Sequence, residues 1–169
     1  MYSSPFLDYL KHIKTASKSK DFLKYKKIFQ KKKNIIILGN GGSNSVASHI
    51  AQDMTKFHNK KATSFSEPSM MTCFANDFGY ENAFVKYLEF YADKDFLVIV
   101  ISSSGESKNI INVINFLEKK NINYGILTGF KKNNTAVTIS KKAIFKYHVE
   151  SNNYGIIECM HQIFLHNAI

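Results

Sequence analysis

Two stretches of this 169-residue chain place histidines and carboxylates where they can meet. In the first, His49 and Asp53 stand four residues apart and share one face of a helix. In the second, Glu158, Gln162 and His166 follow one stripe, with His161 offset from it. Two imidazoles and two carboxylates from neighbouring helices suit a divalent metal site, zinc first, because that ion accepts nitrogen and oxygen donors together. The same groups suit general base and acid roles. Taken singly, each pair also fits ordinary surface pairing, and a histidine near a helix C-terminus fits a favourable dipole contact.

A different chemistry is concentrated in "ISSSGES", residues 101–107. Ser102, Ser103, Ser104 and Ser107 surround Gly105 between the end of an apolar strand and the start of a helix. Free backbone N–H groups and the helix dipole favour an anion there, and Gly105 lets the backbone curl close to it. A simple serine-capped helix needs one or two hydroxyls. Four point to a phosphate monoester, with Lys108 either adding a cation or facing solvent. The loop is not a Walker sequence, and "GNGGSN" at 39–44 lacks the third glycine of the dinucleotide pattern, so nucleotides are disfavoured. Asn76 and Asp77, in "CFANDFGY", read equally as turn formers or polyol contacts, with Phe78 and Tyr80 as packing aromatics.

The elements that must position these residues alternate between strand and helix. Apolar, β-rich runs at 34–39, 95–102, 122–129 and 143–149, with a weaker one in "ATSFS", predict five strands. Helical patterns cover 5–31 (broken or double), about 43–58 with Ser43 as cap, a stretch opened by Pro68 and Ser69 that breaks near "NDFGY", about 107–120, and 154 to the end. The fold expected is α/β: a doubly wound, five-stranded parallel sheet with helices on both faces, a flavodoxin-like three-layer sandwich. One domain is expected over 1–169, with an N-terminal helical segment (1–32) and an α/β core (33–169). Ligands of such sheets gather at the carboxyl ends of the strands, where both "GNGGS" and "SSSGES" fall. That common placement argues for one site.

Composition narrows the partners. The formal charge is +10, yet all 23 basic residues are lysine. Bidentate reading of bases and phosphates is mainly the work of arginine, so a solvated basic surface is expected rather than a nucleic-acid reader. No apolar run reaches membrane-spanning length, and the first twenty residues lack the layout of a secretory signal. A soluble cytoplasmic protein with no membrane partner is expected. Cys73 and Cys159 suggest no disulfide framework and are expected to be reduced packing residues.

Taken together, the pieces resemble the sugar isomerase (SIS) domain family, and within it the phosphoheptose isomerases. The markers run collinearly from about residue 34: "GNGGS" at 39–43, "HIAQD" at 49–53, "ANDFGY" at 75–80, "ISSSGES" at 101–107, "LTG" at 127–129 and "ECMHQIFLH" at 158–166. The resemblance implies an SIS-type sheet and interconversion of a ketose and an aldose phosphate through an enediol. The favoured substrate is sedoheptulose 7-phosphate and the product D-glycero-D-manno-heptose 7-phosphate, for heptose-containing surface polysaccharide. It implies Asp53 as base and His166 as its partner. Ser102, Ser103, Ser104 and Ser107 match the family's phosphate loop. Asn40, Gly41, Gly42, Ser43, Asp53, Asn76, Asp77 and Glu158 match positions around the substrate. His49, Asp53, Glu158 and His166 match the positions that hold zinc, and the resemblance implies a homotetramer whose active sites are shared between subunits. Asp53 stands where the family usually has Glu, and Glu158 where it usually has Gln. A non-catalytic relative is the alternative: a sugar-phosphate-binding protein or one that associates with the bacterial replication initiator. The ionisable Asp53 and His166 argue against it.

Overall fold

The computed structural model describes residues 5–168 and shows five strands in one all-parallel sheet of order β2-β1-β3-β4-β5. In chain order the elements are α1 (Pro5–Ser17), α2 (Lys20–Lys31), β1 (Asn34–Gly39), α3 (Gly42–His58), β2 (Lys61–Ser64), α4 (Pro68–Phe78), α5 (Tyr80–Tyr91), β3 (Phe96–Ser102), α6 (Lys108–Lys120), β4 (Asn123–Thr128), α7 (Thr135–Ile139), β5 (Phe145–His148) and α8 (Tyr154–His166). The doubly wound α/β architecture is the one expected from the alternation of patterns. Residues 1–4 and Ile169, which fall in the first and last sequence stretches discussed above, lie outside the described residues.

The central strands are apolar on both faces because both faces are covered. Ile35, Ile37, Leu97, Ile99, Ile101 and Leu127 pack with residues of α2, α3 and α8. The alternate residues Ile36, Leu38, Val98, Val100 and Ile126 pack with residues of α5 and α6. β2 is half-buried, matching its weak sequence signal as an edge strand. Between β1 and β3 the winding direction reverses, and the loops leaving these strands form the crevice that such a reversal always opens.

α8 is locked from several sides. Asn153 caps it by accepting from the N–H groups of Gly155 and Ile156. The buried Tyr25 of α2 donates to the Leu165 carbonyl at 3.2 Å, and Tyr147 stacks on Phe164 at 4.1 Å. Replacing the cap, Asn153→Ala, is expected to cost about 1 kcal/mol. A lowered denaturation midpoint at unchanged slope would show it.

Two local expectations change. Ser43 does not cap α3: the helix starts one residue earlier, with Gly41 at the cap position, and Ser43 is buried inside the first turn. The short α7 falls where no helix was expected. Its signal was Asn134, whose side chain accepts from Val137 N–H, ahead of too few residues to show a periodicity. The cysteines are free, as expected, but both are exposed rather than packed.

Candidate active site

The serine loop leaves β3 at the switch point. Ser102 Oγ accepts from the Gly105 N–H at 3.1 Å, and Ser104 Oγ accepts from Glu106 N–H at 3.2 Å. Ser103 Oγ is buried with no partner, and Ser107 sits at the cap position of α6 without making a side-chain cap bond. A hydroxyl that accepts a backbone N–H still has its own proton to give. Among the described residues, all four hydroxyl protons therefore remain uncommitted, which is what an anion-binding turn requires.

The loop is held from behind. Gly105 has φ +68°, and a side chain there would come within 2.2 Å of Asn134 Oδ1. The Ala136 N–H donates to the Gly105 carbonyl, while the Glu106 carboxylate accepts from Thr135 N–H at 2.9 Å and Thr135 Oγ1 at 2.6 Å. Those bonds hold the Glu106 carboxyl below its ordinary range, so it stays an acceptor. α7 thus turns its first N–H groups onto the serine loop.

Beside the loop lies a crevice of about 360 Å³ lined by Asn40, Tyr80, Ser107, Lys108 and Asn109, among others. Lys108 is exposed and lines it, so it borders the crevice and solvent alike. Asn40 and Asn109 join the two loops through paired side-chain amides at 2.9 Å, and Tyr80 Oη donates to Asn40 Oδ1 at 2.9 Å. Tyr80 is therefore not a packing aromatic. The residue is 57% exposed and its hydroxyl is engaged. Sequence reading missed Asn109, which no local signal marks as an amide that will be buried.

The ionisable cluster forms elsewhere. On the α3–α8 contact, His166 Nε2 lies 3.0 Å and His49 Nε2 3.6 Å from Asp53 Oδ2. The two imidazole rings meet edge to face at 5.2 Å. One donor atom from each of His49, Asp53 and His166 lies within 4.8 Å of the others. Two nitrogens and an oxygen, partly exposed, fit three protein donors of a catalytic zinc site.

Glu158 does not join this cluster. Its carboxylate lies against Gly42, where an added Cβ would come within 2.4 Å of it. Eight residues of helix, about 12 Å of axis, separate Glu158 from His166. The expected four-ligand set is thus three ligands within one chain. Asn76 and Asp77 are exposed in the last turn of α4, just before the Gly79 and Tyr80 that line the crevice, and Asp77 accepts from Asn76 Nδ2.

The two centres do not converge in one chain. Asp53 follows Gly42 by eleven residues, about 16 Å of helix axis, and α3 runs back from the carboxyl ends of the strands. The serine loop sits at those carboxyl ends and the His–Asp–His cluster toward the opposite rim.

A doubly wound parallel sheet with a serine-rich loop at its switch point defines the chain as an α/β protein of the open-sheet class. The SIS domain model matches residues 28–156, and the chain belongs to that family. It is 40% identical over 100 residues to the phosphoheptose isomerase of Cytophaga hutchinsonii, covering 56% of this chain and 52% of that one. It is 42% identical over 92 residues to that of Fusobacterium nucleatum, covering 52% and 47%. The chain thus spans about half the length of the curated relatives it matches. In fold it is similar to the phosphoheptose isomerase structure from Neisseria gonorrhoeae, with a TM-score of 0.86 at 22% identity over 96% of this chain and 92% of that one. No helix among the described residues is long and apolar enough to cross a membrane.

Proposed function

We propose that the chain is a phosphoheptose isomerase, one SIS unit over residues 1–169, converting sedoheptulose 7-phosphate to D-glycero-D-manno-heptose 7-phosphate. The observation that carries this reading is the pairing of Asp53 with His166 at 3.0 Å in a chain that also offers four uncommitted serine hydroxyls. The serines and Lys108 would hold the phosphate end. Asp53 would take the proton from the carbon beside the carbonyl and return it to the neighbouring carbon. His166, hydrogen-bonded to the same carboxylate, would orient it and exchange a proton with the substrate oxygens as the enediol forms and collapses. His49, Asp53 and His166 would hold zinc, which when bound supplies positive charge to a developing oxyanion.

The separation along α3 supports a site shared between subunits of a homotetramer, the loop coming from one chain and the Asp–His pair from its neighbour. The Asp53–His166 pair, close enough to share a proton, supports a catalytic rather than a purely binding role. The name of the matched relatives supports the heptose phosphate as substrate, and a cytoplasmic location is proposed with it. The test is an NMR assay of the protein with sedoheptulose 7-phosphate, with and without chelator. A new aldose phosphate is expected; none under either condition would remove the reading.

A further inference from the structure

The bonds around Asn109 have a direction that the backbone imposes. Ile110 N–H lies 3.0 Å from one side-chain atom of Asn109, and a backbone N–H can only donate, so that atom is the oxygen Oδ1. Asn40 must then present its Nδ2 to Asn109 Oδ1, and Asn109 Nδ2 must donate to Asn40 Oδ1. The same Asn40 oxygen faces Tyr80 Oη, which is left no choice but to donate. Polarity thus runs unbroken from the first turn of α6 to the rim of the crevice.

This leaves Asn40 little to offer a ligand. Its oxygen accepts twice and one of its two amide protons is used, so a single N–H remains. Asn109 borders the crevice but is only 2% exposed, with its oxygen and amide engaged by Asn40 and the Ile110 N–H, so it offers a ligand little of its own. An amide buried at the start of a helix costs free energy unless it is paired, and here its partner belongs to the other loop.

We infer that Asn109 is a positioning residue: through Asn40 it fixes the spacing between the β1 loop and the serine loop, and through that chain of bonds it leaves Tyr80 Oη facing the crevice as an acceptor for a substrate hydroxyl. The role deepens the sugar-phosphate reading and rests on it. The phosphate itself needs the serine loop alone, whereas the sugar must fit between both loops.

The test compares Asn109→Ala, Asn40→Ala and the double variant with the wild-type chain. For Asn109→Ala, KM for sedoheptulose 7-phosphate is expected to rise about tenfold, the loss of one to two good hydrogen bonds, with inorganic-phosphate affinity unchanged. The double variant should be no worse than Asn40→Ala, because the two residues act as one unit. Multiplying losses, or equal loss of inorganic phosphate, would overturn the inference, as would a lowered melting temperature with KM unmoved. Tyr80→Phe, which removes only an exposed hydroxyl and keeps the fold, should raise KM about threefold without altering phosphate affinity, and an unchanged KM there would also count against it. If the wild-type chain proves inactive, the functional reading fails by itself. Coupling of Asn40 to Asn109 is then read as non-additivity of about tenfold in the unfolding constants, and additive losses would overturn the clasp.

Discussion

Asp53→Asn is expected to lower kcat by about a thousandfold while leaving inorganic-phosphate affinity nearly unchanged. The substitution preserves shape, and the amide oxygen can still accept from His166 Nε2 as the carboxylate does at 3.0 Å. What it removes is the ability to accept a proton from carbon, and one anionic donor of the His–Asp–His cluster. Because the serine loop sits at the carboxyl ends of the strands and Asp53 about three turns down α3 from that end, the loop has no reason to respond. Steady-state kinetics beside phosphate titration would separate the two, and full activity in the variant would place the base elsewhere. Mixing this variant with one lacking Ser104 and Ser107 hydroxyls should restore some turnover if the site is assembled from two chains.

The second large effect concerns acid. His161 is fully buried, and burial pushes its imidazole down to about 4 from an ordinary 6.5. Its Nε2–H donates to the Thr128 carbonyl, so the unprotonated Nδ1 faces the interior with no partner. A proton added there would be an unpaired buried charge. His148, bonded through Nδ1 to Thr128 Oγ1, is shifted the same way by burial. The unfolded chain takes up the proton first, so folded stability is complete above pH 6.5 and declines as pH falls toward 4. For His161 alone the loss is about 3 kcal/mol across that window. His161→Leu should cost about 1 kcal/mol at pH 7.5 for the lost hydrogen bond, yet flatten the slope between pH 6.5 and 5, where carboxylates contribute little. Denaturant melts at several pH values decide it, and an unchanged slope would place the acid sensitivity in other groups.

How far the sequence led can be followed residue by residue. "DFLVIVIS" and "NIIILG" announced buried parallel strands because covered faces demand unbroken apolar runs, and the two loops after them placed the switch point correctly. His49, Asp53 and His166 were legible because helical spacing puts residues four apart on one face. What spacing within a helix cannot show is position along it relative to another loop. Glu158 and His166 share a stripe but sit two turns apart, so one meets Gly42 and the other Asp53. The Asn40–Asn109 pairing was hidden for a similar reason: the residues are 69 apart in sequence, and nothing local marks an amide that will be buried.

The distance between the hydroxyl loop and the histidine cluster has one further consequence. On the proposed shared site, an isolated protomer could bring its serine loop to a substrate but not its own Asp53–His166 pair to that same molecule. Specific activity would then follow the same mass action that governs subunit association.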